Sequence, residues 1–220
     1  MRIPILLAAA TLAALALATT ADAAIVTETV TYEHDGVTLE GYLAYDDALP
    51  GQRPGVLIVH QWRGPGAYEQ RRARMLAELG YVAFAADVYG QGVRPADNQA
   101  ASAEAGKYYD DRDLFRARIA AGLDELRTLD RVDPARVAAI GYCFGGTGVL
   151  ELARAGADVA GVVSFHGNLD TSQPAGPGDV AASILVCHGA DDPYVKPEAV
   201  DAFLAEMDTA DADLQLIMYA

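Results

Sequence analysis

The chain has 220 residues, with 16 Lys and Arg against 31 Asp and Glu, for a net charge of −15. Such a surface repels nucleic acid and anionic lipid, so neither is expected as a partner. The length suits one domain with a sizeable core.

The first two dozen residues read as a secretory signal peptide rather than as part of the fold. Arg2 gives a short positive start, Ile5 to Ala18 is apolar, and Ala21-Asp22-Ala23 fits the A-x-A cleavage pattern, with the cut after Ala23 or Ala24. The apolar run is shorter than the ~20 residues of a spanning helix. No cysteine lies near the cut to accept a lipid. The expected organisation is a signal peptide over 1–24, a single domain over 25–220, and export to the periplasm or the medium, with no membrane attachment after cleavage.

Ile25 to Glu33 and Val37 to Tyr45 alternate as paired strands, joined by a turn at His34-Asp35-Gly36. Gly55 to His60 is a continuous apolar run, the sign of a strand buried on both faces. Tyr68 to Leu79 predicts a helix stopped by Gly80, and Tyr81 to Ala86 the next strand. Gly90 to Gly106 is polar and loop-like, a candidate pocket rim. Phe115, Ile119, Leu123 and Leu126 mark a long amphipathic helix. An apolar strand, Val137 to Ile140, follows, then a glycine-rich turn and a helical run from Thr147 to Ala155. Next come a strand, Gly161 to Phe165, a Gly/Pro-rich loop, Gly167 to Gly178, and a strand from Ser183 to Cys187. Pro197 opens a helix with Val200, Phe203, Leu204 and Met207 on one face, and Leu214 to Tyr219 begins one more strand. This alternation predicts a mostly parallel, doubly wound sheet with helices on both faces. The apolar sequence Leu214 to Ala220 looks like the middle of a domain, so a last helix is expected to be missing.

The most informative segment is Gly141-Tyr142-Cys143-Phe144-Gly145-Gly146. It places a cysteine at the apex of a strand-turn-helix, with glycine two positions to each side. That is the G-x-nucleophile-x-G elbow with thiol in place of hydroxyl. The glycines remove side chains that would collide at a tight apex. The helix N-terminus favours thiolate. In a parallel sheet, chemistry collects beyond the carboxyl ends of the strands, which here carry His60-Gln61-Trp62, Asp87, Cys143, His166 and Asp191-Asp192. A thiol nucleophile needs a base and a group to orient it, in the chain order nucleophile, acid, histidine. Asp192 is favoured over Asp191 as the acid. Oxyanion stabilisation falls to the backbone N–H groups of Phe144 and Trp62. His60, His166 and His188 end strands and are expected to bond loop backbone, while His34 lies in the hairpin turn. No histidine pair has metal-ligand spacing and two distant cysteines make no zinc cluster, so no metal site is expected. One strand should separate Cys143 from Cys187, placing their Cα atoms about 9–10 Å apart. Both are therefore expected to be free thiols, Cys187 as core filler.

Ile58 to Gly64, Ala86 to Gly90, Gly141 to Gly146, Ser164 to Gly167 and Cys187 to Pro193 together resemble the dienelactone hydrolase family. The resemblance runs from about Val37 to the end. It implies an α/β-hydrolase fold and a Cys-His-Asp triad. It implies hydrolysis of a small-molecule ester or lactone through a thioester acyl-enzyme, without cofactor. By residue match Cys143 is the nucleophile and Asp192 the acid, while the family's histidine falls past Tyr219, outside this sequence. Gln61 stands where the family carries a Glu that contacts the resting thiol. Gln61, Arg63, Arg94 and His166 are the candidate pocket-lining residues. The rival expectations are a non-catalytic binding module on the same scaffold and, more weakly, a redox-active thiol.

Overall fold

The computed structural model describes residues 24–220, so the signal-peptide segment lies outside the described residues. The strands are β1 (Ile25–His34), β2 (Val37–Asp46), β3 (Arg53–Val59), β4 (Val82–Ala86), β5 (Val132–Tyr142), β6 (Gly161–Phe165), β7 (Ser183–Gly189) and β8 (Leu214–Tyr219). The helices are α1 (Ala67–Glu78), α2 (Asn98–Asp110), α3 (Arg112–Thr128), α4 (Phe144–Arg154) and α5 (Pro197–Thr209). They form one eight-stranded sheet in the order β1-β2-β4-β3-β5-β6-β7-β8. β1 and β2 are an antiparallel hairpin that pairs antiparallel with β4, and every further pair is parallel. The hairpin closes through Asp35 and Gly36, both at positive φ, as a two-residue turn demands.

Period-two alternation divides the strand side chains between two faces. Leu57, Val59, Phe84, Val137, Ala139, Val162, Ile184 and Val186 join the main core, with Phe115, Ile119 and Leu126 of α3, Leu150 of α4 and Phe203 of α5. Val56, Ile58, Ala83, Ala85 and Tyr142 face the other way, against Ala73 and Ala77 of α1.

Several expectations are corrected. Residues 90–106 are loop only as far as Asp97. Beyond it runs α2, capped by the Asp97 carboxylate, which accepts the Ala100 N–H at 2.8 Å. Its buried stripe is Ala101, Ala105 and Tyr108, too small an apolar signal to stand out. The elbow is tighter than expected, for α4 starts at Phe144, directly after Cys143. β7 continues through His188, which is buried inside the strand and bonds no loop backbone through Nδ1.

The side of the sheet that carries α1 is covered unevenly. α1 packs on β2, β3 and β4 and reaches β5 through Tyr68 and Arg72, which meet Tyr142. Farther along, Ile140, Val163, Phe165, Leu185, Cys187 and Ile217 are only half-buried, and Tyr219 is 56% exposed. Cys187 is therefore on an open face rather than in the core.

Candidate active site

Cys143 sits at φ 55°, ψ −114°, a conformation that costs a non-glycine residue about 1–3 kcal/mol. The surrounding packing holds it there. Its N–H donates to the Phe165 carbonyl at 2.9 Å, and its carbonyl accepts the Thr147 N–H at 3.1 Å. A Cβ at Gly141 would overlap the Gly145 carbonyl, and one at Gly145 would overlap the Val59 carbonyl. Both elbow glycines are thus required by backbone contact.

The sulfur is free and half-buried. β6 lies between β5 and β7, and Cys187 is also free, as the strand order requires. The backbone N–H groups of Phe144 and Trp62 are both close enough to the Cys143 thiol to favour its ionised form. Trp62 follows β3 and Cys143 follows β5, neighbours in the sheet, so the approach is a consequence of topology. Burial is the largest influence on the thiol and pushes its pKa up. The Phe144 N–H opposes that, the Asp192 carboxylate adds to it, and the Trp62 N–H opposes it. The net effect is upward, against the thiolate expected from the helix N-terminus alone. Desolvation outweighs the two N–H groups, and Tyr89 and Tyr109 are among the neighbours of the thiol.

Asp192 is nearly buried and Asp191 exposed. Asp192 Oδ1 accepts the Tyr194 N–H at 2.9 Å, and Oδ2 lies 4.0 Å from His166 Nδ1. His166 is 55% exposed, and its imidazole faces this carboxylate rather than loop backbone. The backbone N–H of His166 donates to the Cys187 carbonyl. Cys143, His166 and Asp192 thus share the carboxyl edge of β5, β6 and β7.

The other candidates are placed differently. Arg63 is exposed and bonds Asn98 Oδ1 and, at 3.4 Å, the Ala96 carbonyl, tying the loop after β3 to the start of α2. Arg94 is exposed, bonds the Val93 carbonyl at 2.8 Å, and lines a crevice with Glu40, Tyr42, Glu69 and Gln70. Neither guanidinium spends its hydrogen bonds at the elbow. Gln61 acts through its backbone. Its carbonyl accepts from Gly64 N–H at 3.1 Å, and its N–H lies 3.4 Å from buried Glu69. Among the described residues no group of three or more His, Cys, Asp or Glu side chains converges as a metal site would.

The sequence reading missed Tyr89 and Tyr109. Burial pushes the Tyr109 hydroxyl up to about 12, with a Thr147 hydrogen bond opposing and the nearby Cys143 adding to the rise. Tyr89 is shifted up likewise, chiefly by burial, with Cys143 again among its neighbours. The only sequence signal was Tyr89 within Asp87-Val-Tyr-Gly90. Asp87 itself is fully buried and shapes that loop, accepting the N–H groups of Glu40, Tyr89 and Gly90.

Comparison with known proteins bears on the fold and the family. The chain is 33% identical to Protein usf of Aquifex pyrophilus over 126 residues, which are 54% of this chain and 51% of that protein. The match therefore spans about half the length of that relative. Among solved structures, a dienelactone hydrolase-like promiscuous phosphotriesterase from metagenomic libraries superposes with a TM-score of 0.84 at 37% identity. The match covers 89% of this chain and 82% of that one. The dienelactone hydrolase of Anabaena variabilis shares the fold, with a TM-score of 0.66 at 19% identity, over 89% of this chain and 86% of that one. The sheet is that of an α/β-hydrolase. With the dienelactone hydrolase family model matching residues 39–220, the chain belongs to the dienelactone hydrolase family.

Proposed function

We propose that the protein is an exported hydrolase of small carboxylic esters or lactones that works through Cys143. The family supports a hydrolase acting on small molecules. The observation that carries the finer reading is the convergence of two backbone N–H groups, from Phe144 and Trp62, on one strained cysteine. In this reading the sulfur attacks the carbonyl carbon as its proton passes to a histidine oriented by Asp192. We take that histidine to be the one that the family resemblance implies beyond Tyr219. The developing oxyanion takes the two N–H bonds, which are in place before attack and cost no reorganisation. The C–O bond breaks, the leaving alkoxide takes the proton back from the imidazolium, and a thioester remains. Water, deprotonated by the neutral imidazole, then cleaves the thioester and returns the thiol.

In the full gene product, Cys143→Ala is expected to abolish p-nitrophenyl acetate turnover. Wild-type rates in that variant would end the reading. Export rests on Arg2, the Ile5 to Ala18 run and Ala21-Asp22-Ala23. Its test is the N-terminal mass of the protein recovered outside the cytoplasm, expected to begin at Ala24 or Ile25.

A further inference from the structure

The Gln61 carbonyl and the Trp62 N–H belong to one trans peptide and point in opposite directions from one plane. The N–H end, that of Trp62, acts on the Cys143 thiol in favour of its ionised form. The carbonyl at the other end lies 2.6 Å from Nδ1 of His60. His60 is fully buried, 0% exposed. Its Nε2 accepts the Val88 N–H at 3.2 Å. A backbone N–H can only donate, so Nε2 carries no proton and the Nδ1–H is the donor to Gln61. The ring cannot swing away. It meets Tyr89 edge-on, with centroids 4.7 Å apart at 73°, and stacks on Phe144 at 5.6 Å and 14°. Tyr89 donates its hydroxyl to the following carbonyl, that of Trp62, at 2.9 Å. Both carbonyls flanking the Trp62 N–H are thus clamped by buried donors.

We propose that His60 is a positioning residue, which fixes and polarises the Gln61–Trp62 peptide so that the Trp62 N–H serves as an oxyanion donor. A hydrogen bond to the carbonyl end strengthens donation at the N–H end of the same amide. Its value for catalysis rests on the ester-hydrolase reading, but the clamp on the peptide does not. Burial, the largest influence, pushes the His60 pKa down to about 3, with Arg94 adding and the Gln61 hydrogen bond opposing. The imidazole therefore stays neutral at working pH and takes no proton itself.

The test compares His60→Leu, which removes the donor, with His60→Asn, which keeps an N–H near the place of Nδ1. The first measurement is the pH dependence of Cys143 alkylation by iodoacetamide in a Cys187→Ser background. It needs no ester turnover and leaves Asp192, Tyr89, Tyr109 and His166 unchanged. His60→Leu is expected to move the thiol midpoint upward and slow alkylation several-fold at pH 7, with His60→Asn near wild type. In the active full-length enzyme, His60→Leu is expected to lower kcat about 100-fold with KM little changed, and His60→Asn to recover most of it. A purely structural role would lower the melting temperature without moving the thiol midpoint or splitting kcat from KM. Unchanged alkylation and kcat in His60→Leu would overturn the proposal. If the thiol midpoint moves yet Cys143→Ala still turns over ester, the catalytic reading fails and the clamp stands. Should His60→Leu not fold, 15N NMR of the unaltered chain decides. A neutral Nδ1–H tautomer between pH 5 and pH 9 is expected, and an Nε2–H tautomer would refute the clamp.

Discussion

The Asp192 carboxylate acts on Cys143 against ionisation, one of two influences that raise the thiol pKa. A negative neighbour disfavours thiolate, so its removal should act the other way. In the 220-residue chain, Asp192→Asn is expected to lower the pH midpoint of Cys143 alkylation and to speed the reaction at pH 7. An unchanged or higher midpoint would mean that the carboxylate does not face the sulfur. In the proposed mechanism a histidine cation between the two would reverse the sign.

The elbow should be intolerant of a single methyl. Gly145→Ala drives a Cβ into the Val59 backbone, whose carbonyl cannot rotate aside, so α4 must lift. A loss of about 3 kcal/mol or more is expected in urea titration. Gly106→Ala is the control. That position lies within α2 with open space around it, and the change should be neutral or stabilise by up to about 1 kcal/mol.

A buried ion network ties α4 to α3 and α5. Glu151 is fully buried, with Arg116 Nη2 at 2.7 Å and Arg154 Nη1 at 3.0 Å. Arg154 also reaches Glu206 at 2.8 Å and the Leu169 carbonyl at 2.8 Å. Glu151→Ala removes the fully buried carboxylate that joins Arg116 to Arg154, leaving Arg154 with Glu206 and Leu169 and Arg116 with the Gln173 carbonyl, and should cost about 3 kcal/mol. Glu206→Gln should cost less, because Arg154 keeps Glu151 and Leu169. Denaturant titration giving the reverse ranking would contradict this account of the network.

The half-open face of β6, β7 and β8 should bind hydrophobic dye. A chain of residues 25–220 is expected to enhance ANS fluorescence strongly or to self-associate. Ile217→Lys should reduce the dye signal with little change in melting temperature, since the side chain is only half-buried. A large drop in melting temperature would show that this face is covered in solution.

Much of the molecule was legible in order along the chain. Continuous apolar runs announced β3 and β4, turn glycines marked the helix ends, and the elbow declared itself through Gly141 and Gly145, whose lack of side chains is a local necessity. Elements with weak local signals were not legible. α2 buries mainly alanines, so its stripe resembles a polar loop until Asp97 is seen to cap it. Arg63 and Arg94 could be proposed as pocket residues because their side-chain directions depend on loops that only the fold arranges.

By itself the sequence determined the strand-helix alternation, the strained cysteine and the acidic residue on the loop after β7, because spacing and residue type carry those. The tertiary structure alone decided which groups meet. It brought the Trp62 N–H to the sulfur, stood His166 beside Asp192, buried His60 behind the Gln61 carbonyl, and turned the thiol pKa upward. Those outcomes depend on desolvation and on contacts between residues tens of positions apart, and such quantities exist only once the sheet has fixed its neighbours.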